Sequence, residues 1–109
     1  MERPALILER VREAAKRRIL FLPHALRQMA RFDRLITPAE VRNVIDAGEV
    51  IEDYPDDSRG HSCLLLGRGN EARANHVVCS PKADFMPIIT AYIPSEEEWD
   101  EAFRLRKRR

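Results

Sequence analysis

Apolar residues recur at three-and-four spacing over residues 4–17, where Leu6, Ile7, Val11, Ala14 and Ala15 fall on one side of a helical wheel. That spacing predicts an amphipathic helix. The short apolar run Ile19-Leu20-Phe21-Leu22 then reads as a strand closed by Pro23. Proline suits the first turn of a helix, so a second helix is predicted over 23–32. Ala25, Met29 and Phe32 share its inner side, and His24, Arg27 and Arg31 lie roughly opposite. The third helix has the clearest start: Thr37-Pro38-Ala39-Glu40 is a capping box with proline at the first helical position. Ile36 and Val41 are placed for a hydrophobic staple. Val41, Val44 and Ile45 form the apolar stripe, and Gly48 is a natural stop.

Beyond Gly48 the period changes. Strands are predicted at 50–54, 62–66, 75–79 and 88–93, separated by turn chemistry at Pro55-Asp56-Asp57-Ser58 and over 67–72. Ser95 and Glu98 suggest a second capping box, so a last helix is expected from Ser95 with Trp99, Ala102 and Phe103 buried. The order helix, strand, two helices, four strands, helix implies an α+β fold. Its expected form is a curved antiparallel sheet of about four to five strands with helices on one face. The 109 residues fit one domain, 1–109.

Composition adds a charge pattern. The net charge of +1 hides an acidic block (Glu49, Glu52, Asp53, Asp56, Asp57) and basic stretches over 10–18, 27–34 and in the tail 104–109. Such asymmetry suits an anionic partner on one face, though runs of charge are also ordinary solvated surface. The N-terminus lacks the positive start of a signal peptide, and the longest apolar stretch, 85–93, is broken by Pro87. The expected location is the cytoplasm, away from membranes, with Cys63 and Cys79 as free thiols.

There is no phosphate loop, dinucleotide fingerprint, paired Cys-x-x-Cys or nucleophile elbow. His24 beside Arg27 and Arg31 has the right composition for phosphodiester chemistry: an imidazole moves a proton near neutral pH, and guanidiniums hold phosphate. The plainer reading is a histidine that orders the strand-to-helix corner. His76, inside an apolar strand, is a second candidate proton mover or a hydrogen-bonded structural group. Arg59 is either a phosphate-gripping loop residue or a solvated turn residue. Tyr92 and Trp99 could stack on a base or pack in the core. His61, Cys63, His76 and Cys79 would converge on a metal only if a bulge turned Cys79 to the face of His76.

Phe21-Leu22-Pro23-His24-Ala25, Met29, Ile36-Thr37 and Glu40-Val41 resemble the front half of the domain-of-unknown-function family numbered 4258. The back half does so through the run from Gly48-Glu49-Val50-Ile51 to Asp56-Asp57, Leu64-Leu65-Leu66-Gly67, His76-Val77-Val78, Ile89-Thr90-Ala91-Tyr92-Ile93-Pro94 and Trp99. The resemblance covers about residues 5–104. Two departures stand out: Gln28 occupies a position where the family usually has arginine, and the segment 30–35 is slightly longer than usual. The family is similar to the RelE, ParE and BrnT toxins of toxin–antitoxin pairs. The resemblance implies a helices-on-sheet fold, a metal-independent endoribonuclease without cofactor, and a cognate antitoxin partner carrying a helix-turn-helix or zinc finger. On that reading His24 or His76 moves the proton, Arg27, Arg31 and Arg59 bind RNA phosphate, and Tyr92 stacks a base. The alternative is a toxin-like protein-binding module without catalysis, whose acidic stretch would accept a basic antitoxin segment.

Overall fold

The computed structural model describes residues 4–107. Its elements in chain order are α1 (Pro4–Arg17), β1 (Ile19–Phe21), α2 (Pro23–Met29), α3 (Pro38–Ala47), β2 (Glu49–Tyr54), β3 (Ser62–Arg68), β4 (Ala74–Cys79) and β5 (Met86–Tyr92). The fold is α+β, with a five-stranded sheet of order β1-β5-β4-β3-β2. Strands β2 to β5 form the expected antiparallel meander. The sheet is nevertheless mixed, because β1 pairs parallel with β5, Ile19 opposite Met86 and Phe21 opposite Ile88. The chain leaves β1 directly into α2, which packs on β5.

One face of the sheet carries the core. Cys63 and Leu65 of β3, Val77 and Cys79 of β4, and Met86, Ile88 and Ala91 of β5 pack with Ile7, Val11, Val44 and Ile45 of the helices. Each of these four helical side chains is essentially removed from solvent, a contribution of about 1.5–3 kcal/mol apiece. Cys79 shares the inner face with Val77 two residues before it, and the extra β5 residue Ile89, opposite the step from Val78 to Cys79, lets both Ile88 and Ala91 face inward. Gly48 ends α3 in extended backbone, and its need is steric: a Cβ there would lie 2.4 Å from the Val44 carbonyl oxygen.

Two predicted helices are corrected. α2 stops at Met29 rather than Phe32, and the chain turns over 30–35. Phe32, expected to face inward, is 91% exposed. The turn closes on itself through Arg34 N–H and Leu35 N–H to the Arg31 carbonyl (2.9 and 2.8 Å), and Ile36 N–H returns to the Met29 carbonyl (2.9 Å). Leu35 takes the left-handed conformation there, φ 46°. The helix predicted from Ser95 does not continue past one turn. Trp99 instead bridges Arg106 in a small antiparallel hairpin, closed by Asp100 N–H to Leu105 C=O (2.9 Å) and Lys107 N–H to Glu98 C=O (2.8 Å). Helical spacing of Trp99 and Phe103 misled because Trp99 packs against the sheet while Phe103 presents its carbonyl, with φ 60°. Among the described residues no helix is long and apolar enough to cross a membrane.

Candidate functional site

α2 begins with Pro23 after an extended Leu22, and Ala25 and Met29 bury its inner side. That phase leaves His24 and Gln28, one helical turn apart, on a side that looks over the end of β5. They line a cleft of about 410 Å³ with Thr90, Tyr92, Ile93, Ser95, Glu98 and Arg34, the last contributed by the turn after α2. Two candidates far apart in sequence, His24 and Tyr92, therefore face the same space. His24 is exposed and has no hydrogen bond among the described residues.

His76 lies directly behind Tyr92. It pairs with Tyr92 across β4 and β5 and is fully buried. Its Nε2 is 2.8 Å from the Phe103 carbonyl oxygen and its Nδ1 is 3.1 Å from the Tyr92 hydroxyl. A carbonyl only accepts, so Nε2 carries the proton, and the Nδ1 lone pair accepts from Tyr92. Trp99 packs edge-on against the imidazole with centroids 4.4 Å apart. Burial lowers the His76 pKa, against the opposing hydrogen bond to Phe103, which keeps the ring neutral. Burial likewise raises the Tyr92 pKa, so its hydroxyl stays protonated.

The same helix-free face holds Glu52 and Tyr54 of β2. The Tyr54 hydroxyl donates to Glu52, and Arg106 holds both Glu52 oxygens at 2.8 and 3.1 Å while its guanidinium sits 4.6 Å over the Trp99 ring. Burial opposes ionisation of Glu52, but the bonds from Arg106 and Tyr54 outweigh it and leave its pKa lowered. Burial, then the Glu52 hydrogen bond, pushes Tyr54 up to about 12. Arg104 meets Glu49 at 2.8 Å. The acidic strand is thus engaged by this chain's own basic segment. Arg108 and Arg109 lie outside the described residues.

The other candidates sit elsewhere. Arg59 is at the opposite end of the sheet, where it grips both Asp57 oxygens (3.1 and 2.8 Å) and holds that carboxyl well below its usual range. Arg31 pairs with Asp33 at 3.5 Å on the turn after α2, and Arg27 projects from the last turn of α2 without a partner among the described residues. None of the three lines the cleft. Trp99 is buried against His76, which matches packing rather than stacking on a ligand. The four possible metal ligands do not converge: Cys63 and Cys79 face the core, His76 the opposite face, and His61 bonds Asp53 and Arg10. Among the described residues no three His, Cys, Asp or Glu side chains cluster as a metal site requires.

Sequence reasoning missed Arg34 and Thr90 in the cleft, and it missed the support beneath Arg34. Glu40 completes only half of its capping box: its N–H donates to Thr37 Oγ1 at 3.1 Å. Its buried carboxylate is taken instead by Arg73 (2.7 and 2.8 Å), Asn75 (2.9 Å) and the Asn70 N–H (3.0 Å). Arg73 also donates to the Arg34 and Leu35 carbonyls at 2.7 and 3.3 Å. The turn over 30–35 is therefore fastened to α3 and to the β3–β4 connection. The hydrogen bonds from Arg73, above all, pull the Glu40 pKa down to about 2. The sequence shows both residues, but nothing in the spacing of 40 and 73 shows that they meet.

The model of the family described as a domain of unknown function, DUF4258, matches residues 21–93. No curated protein and no solved structure matches the chain.

Proposed function

Starting from a chain that belongs to the DUF4258 family, we propose that the cleft is the active centre of a metal-independent endoribonuclease, the toxin of a toxin–antitoxin pair. The observation that carries this reading is the meeting of His24, Arg34 and Tyr92 in one cleft, with a neutral imidazole hydrogen-bonded behind the tyrosine. The sequence resemblance of the family to the RelE, ParE and BrnT toxins is the reason for reading the chemistry as RNA cleavage.

The chemistry needs a base, an acid and a cation. The ribose 2′-hydroxyl gives its proton to Tyr92 Oη as the Tyr92 proton passes to His76 Nδ1. The 2′-oxygen forms a bond to phosphorus, and the bond from phosphorus to the 5′-oxygen breaks. Protonated His24 supplies the proton to that leaving oxygen. Arg34 faces the charge that builds on the phosphoryl oxygens. The products are a 2′,3′-cyclic phosphate and a 5′-hydroxyl, and no cofactor takes part. Burial opposes the transient positive charge on His76, the Phe103 carbonyl and the nearby Glu52 carboxylate favour it, and Arg106 opposes it.

The test is purified protein with single-stranded RNA in the presence of a chelator. Discrete fragments ending in cyclic phosphate are expected, and His24→Ala and Tyr92→Phe should each slow their appearance by ~100-fold or more. Intact RNA, or cutting by both variants at the wild-type rate, would refute the assignment. The partner of this reading is a small helix-turn-helix or zinc-finger antitoxin. Its basic segment would compete for Glu49 and Glu52, which Arg104 and Arg106 now occupy.

A further inference from the structure

The turn over 30–35 holds the most exposed large apolar side chain among the described residues, Phe32 at 91%. Leaving a phenyl ring in water forgoes the stabilisation that burial would give. The turn that presents it is nonetheless firmly built. It is closed at its base by Ile36 N–H to the Met29 carbonyl, and Arg73, itself held by buried Glu40, donates to the carbonyls of Arg34 and Leu35. The ring is therefore displayed on a rigid mount rather than on a loose loop. Arg31 stands immediately before it, Arg34 two residues after, and Arg27 on the last turn of α2. The single acid in the turn, Asp33, lies within 3.5 Å of Arg31 and 3.9 Å of Arg34. Arg34 also lines the cleft of His24 and Tyr92, so the turn and the cleft are continuous through one side chain.

An exposed ring flanked by guanidiniums matches what a single strand of nucleic acid offers, a base face beside a phosphate. Leu26 and Leu35 are half exposed and would also suit a protein contact, but the arginines on both sides of Phe32 favour the charged polymer. We infer that Phe32 is a base-stacking platform for single-stranded RNA, with Arg27 and Arg31 on the neighbouring phosphates, guiding the strand into the cleft. This rests on the RNA reading of that cleft but not on catalysis there.

The experiment uses a fluorescein-labelled 2′-O-methyl RNA, which lacks the attacking hydroxyl and cannot be cut. Its binding is followed by anisotropy at several salt concentrations, with circular dichroism as a check on folding. Phe32→Ala should weaken binding by about tenfold with an unchanged salt slope. Phe32→Trp should retain it, and Arg31→Ala should reduce the salt slope by about one. Binding by Phe32→Ala at the wild-type level overturns the inference, as does failure of the wild type to bind the oligonucleotide. Phe32→Leu equal to wild type also overturns it, assigning the ring to an apolar protein contact. Cleavage of unmodified RNA is scored separately. Phe32-dependent binding without any cutting removes the active-centre reading and leaves the platform, whereas cutting by Phe32→Ala with unchanged affinity does the reverse.

Discussion

Replacing Arg73 by methionine keeps the aliphatic stem and removes the guanidinium from the Glu40 network. The Glu40 side chain is wholly inaccessible and that of Arg73 is 31% exposed. In the intact protein the carboxyl is held at about 2, against an ordinary value of 4.5, which is worth about 3 kcal/mol at neutral pH. Breaking a buried pair by removing one member costs about 3–5 kcal/mol. Asn75 and the Asn70 N–H still bond Glu40 after the substitution, so the lower end applies, about 3 kcal/mol. For a chain of this length that is a fall in Tm of roughly 12 °C.

The pH dependence gives the sharper check. A carboxyl whose folded pKa is depressed stabilises the protein above its unfolded pKa and loses that contribution as pH falls towards the folded value. The wild type should therefore weaken progressively between about pH 4.5 and pH 2 from this group. In Arg73→Met the largest cause of the lowered pKa is gone while burial still raises it, so the folded value moves back towards the unfolded one and this group's pH dependence shrinks. Urea denaturation followed by circular dichroism should show a gap of about 3 kcal/mol at pH 7 that shrinks by somewhat more than half at pH 3, where the wild-type carboxyl, held at about 2, is still mostly ionised. A gap under about 1 kcal/mol at pH 7, or one of equal size at both pH values, would refute the account of Glu40 as a paired buried charge.

Trp99→Ala removes a side chain that is only 2% exposed and should destabilise by about 3–5 kcal/mol in the same denaturation assay; a loss below about 1 kcal/mol would mean that segment 95–107 is not anchored through it. Arg104→Ala breaks an ion pair whose side chains are 58% and 46% exposed, so it should cost under about 0.5 kcal/mol and nothing measurable in molar salt; a larger, salt-resistant loss would show that the pair is part of the core.

The meander, α1 and α3 were legible in the sequence because each has a long apolar period bounded by a definite signal. Thr37 caps Glu40, Gly48 stops α3, and the proline and aspartate turn follows β2. The failures share a cause. The inward phase given to Phe32 and the helix drawn from Ser95 both extrapolated a period beyond the point where backbone groups found other partners. After Met29 the Ile36 N–H closes a turn, and after Glu98 the chain pairs Trp99 with Arg106. Parallel pairing of β1 with β5 was hidden for a different reason, since a three-residue strand carries no information about the direction of its neighbour. Of the site, the residues His24, His76 and Tyr92 were visible as types. Their order, with Tyr92 between the cleft and a buried His76, follows only from β4 and β5 lying side by side with Tyr92 opposite His76.

That geometry also brings one residue of α2 and one of the following turn to a shared space. The structure puts Gln28 of α2 and Arg34 of the turn over 30–35 on the same cleft. The Arg34 guanidinium is delivered to that cleft from the turn, whose backbone is held by the Arg73 bond to the Arg34 carbonyl. If the two positions are interchangeable sources of positive charge, Arg34→Ala should lower RNA cleavage by about 100-fold. Gln28→Arg added to it should then recover most of that loss, to within about tenfold of wild type. The second substitution adds a cation at a different backbone position, so recovery can come only from charge reaching the shared space. A double variant no faster than Arg34→Ala alone would show that Arg34 acts through its particular geometry or not at all.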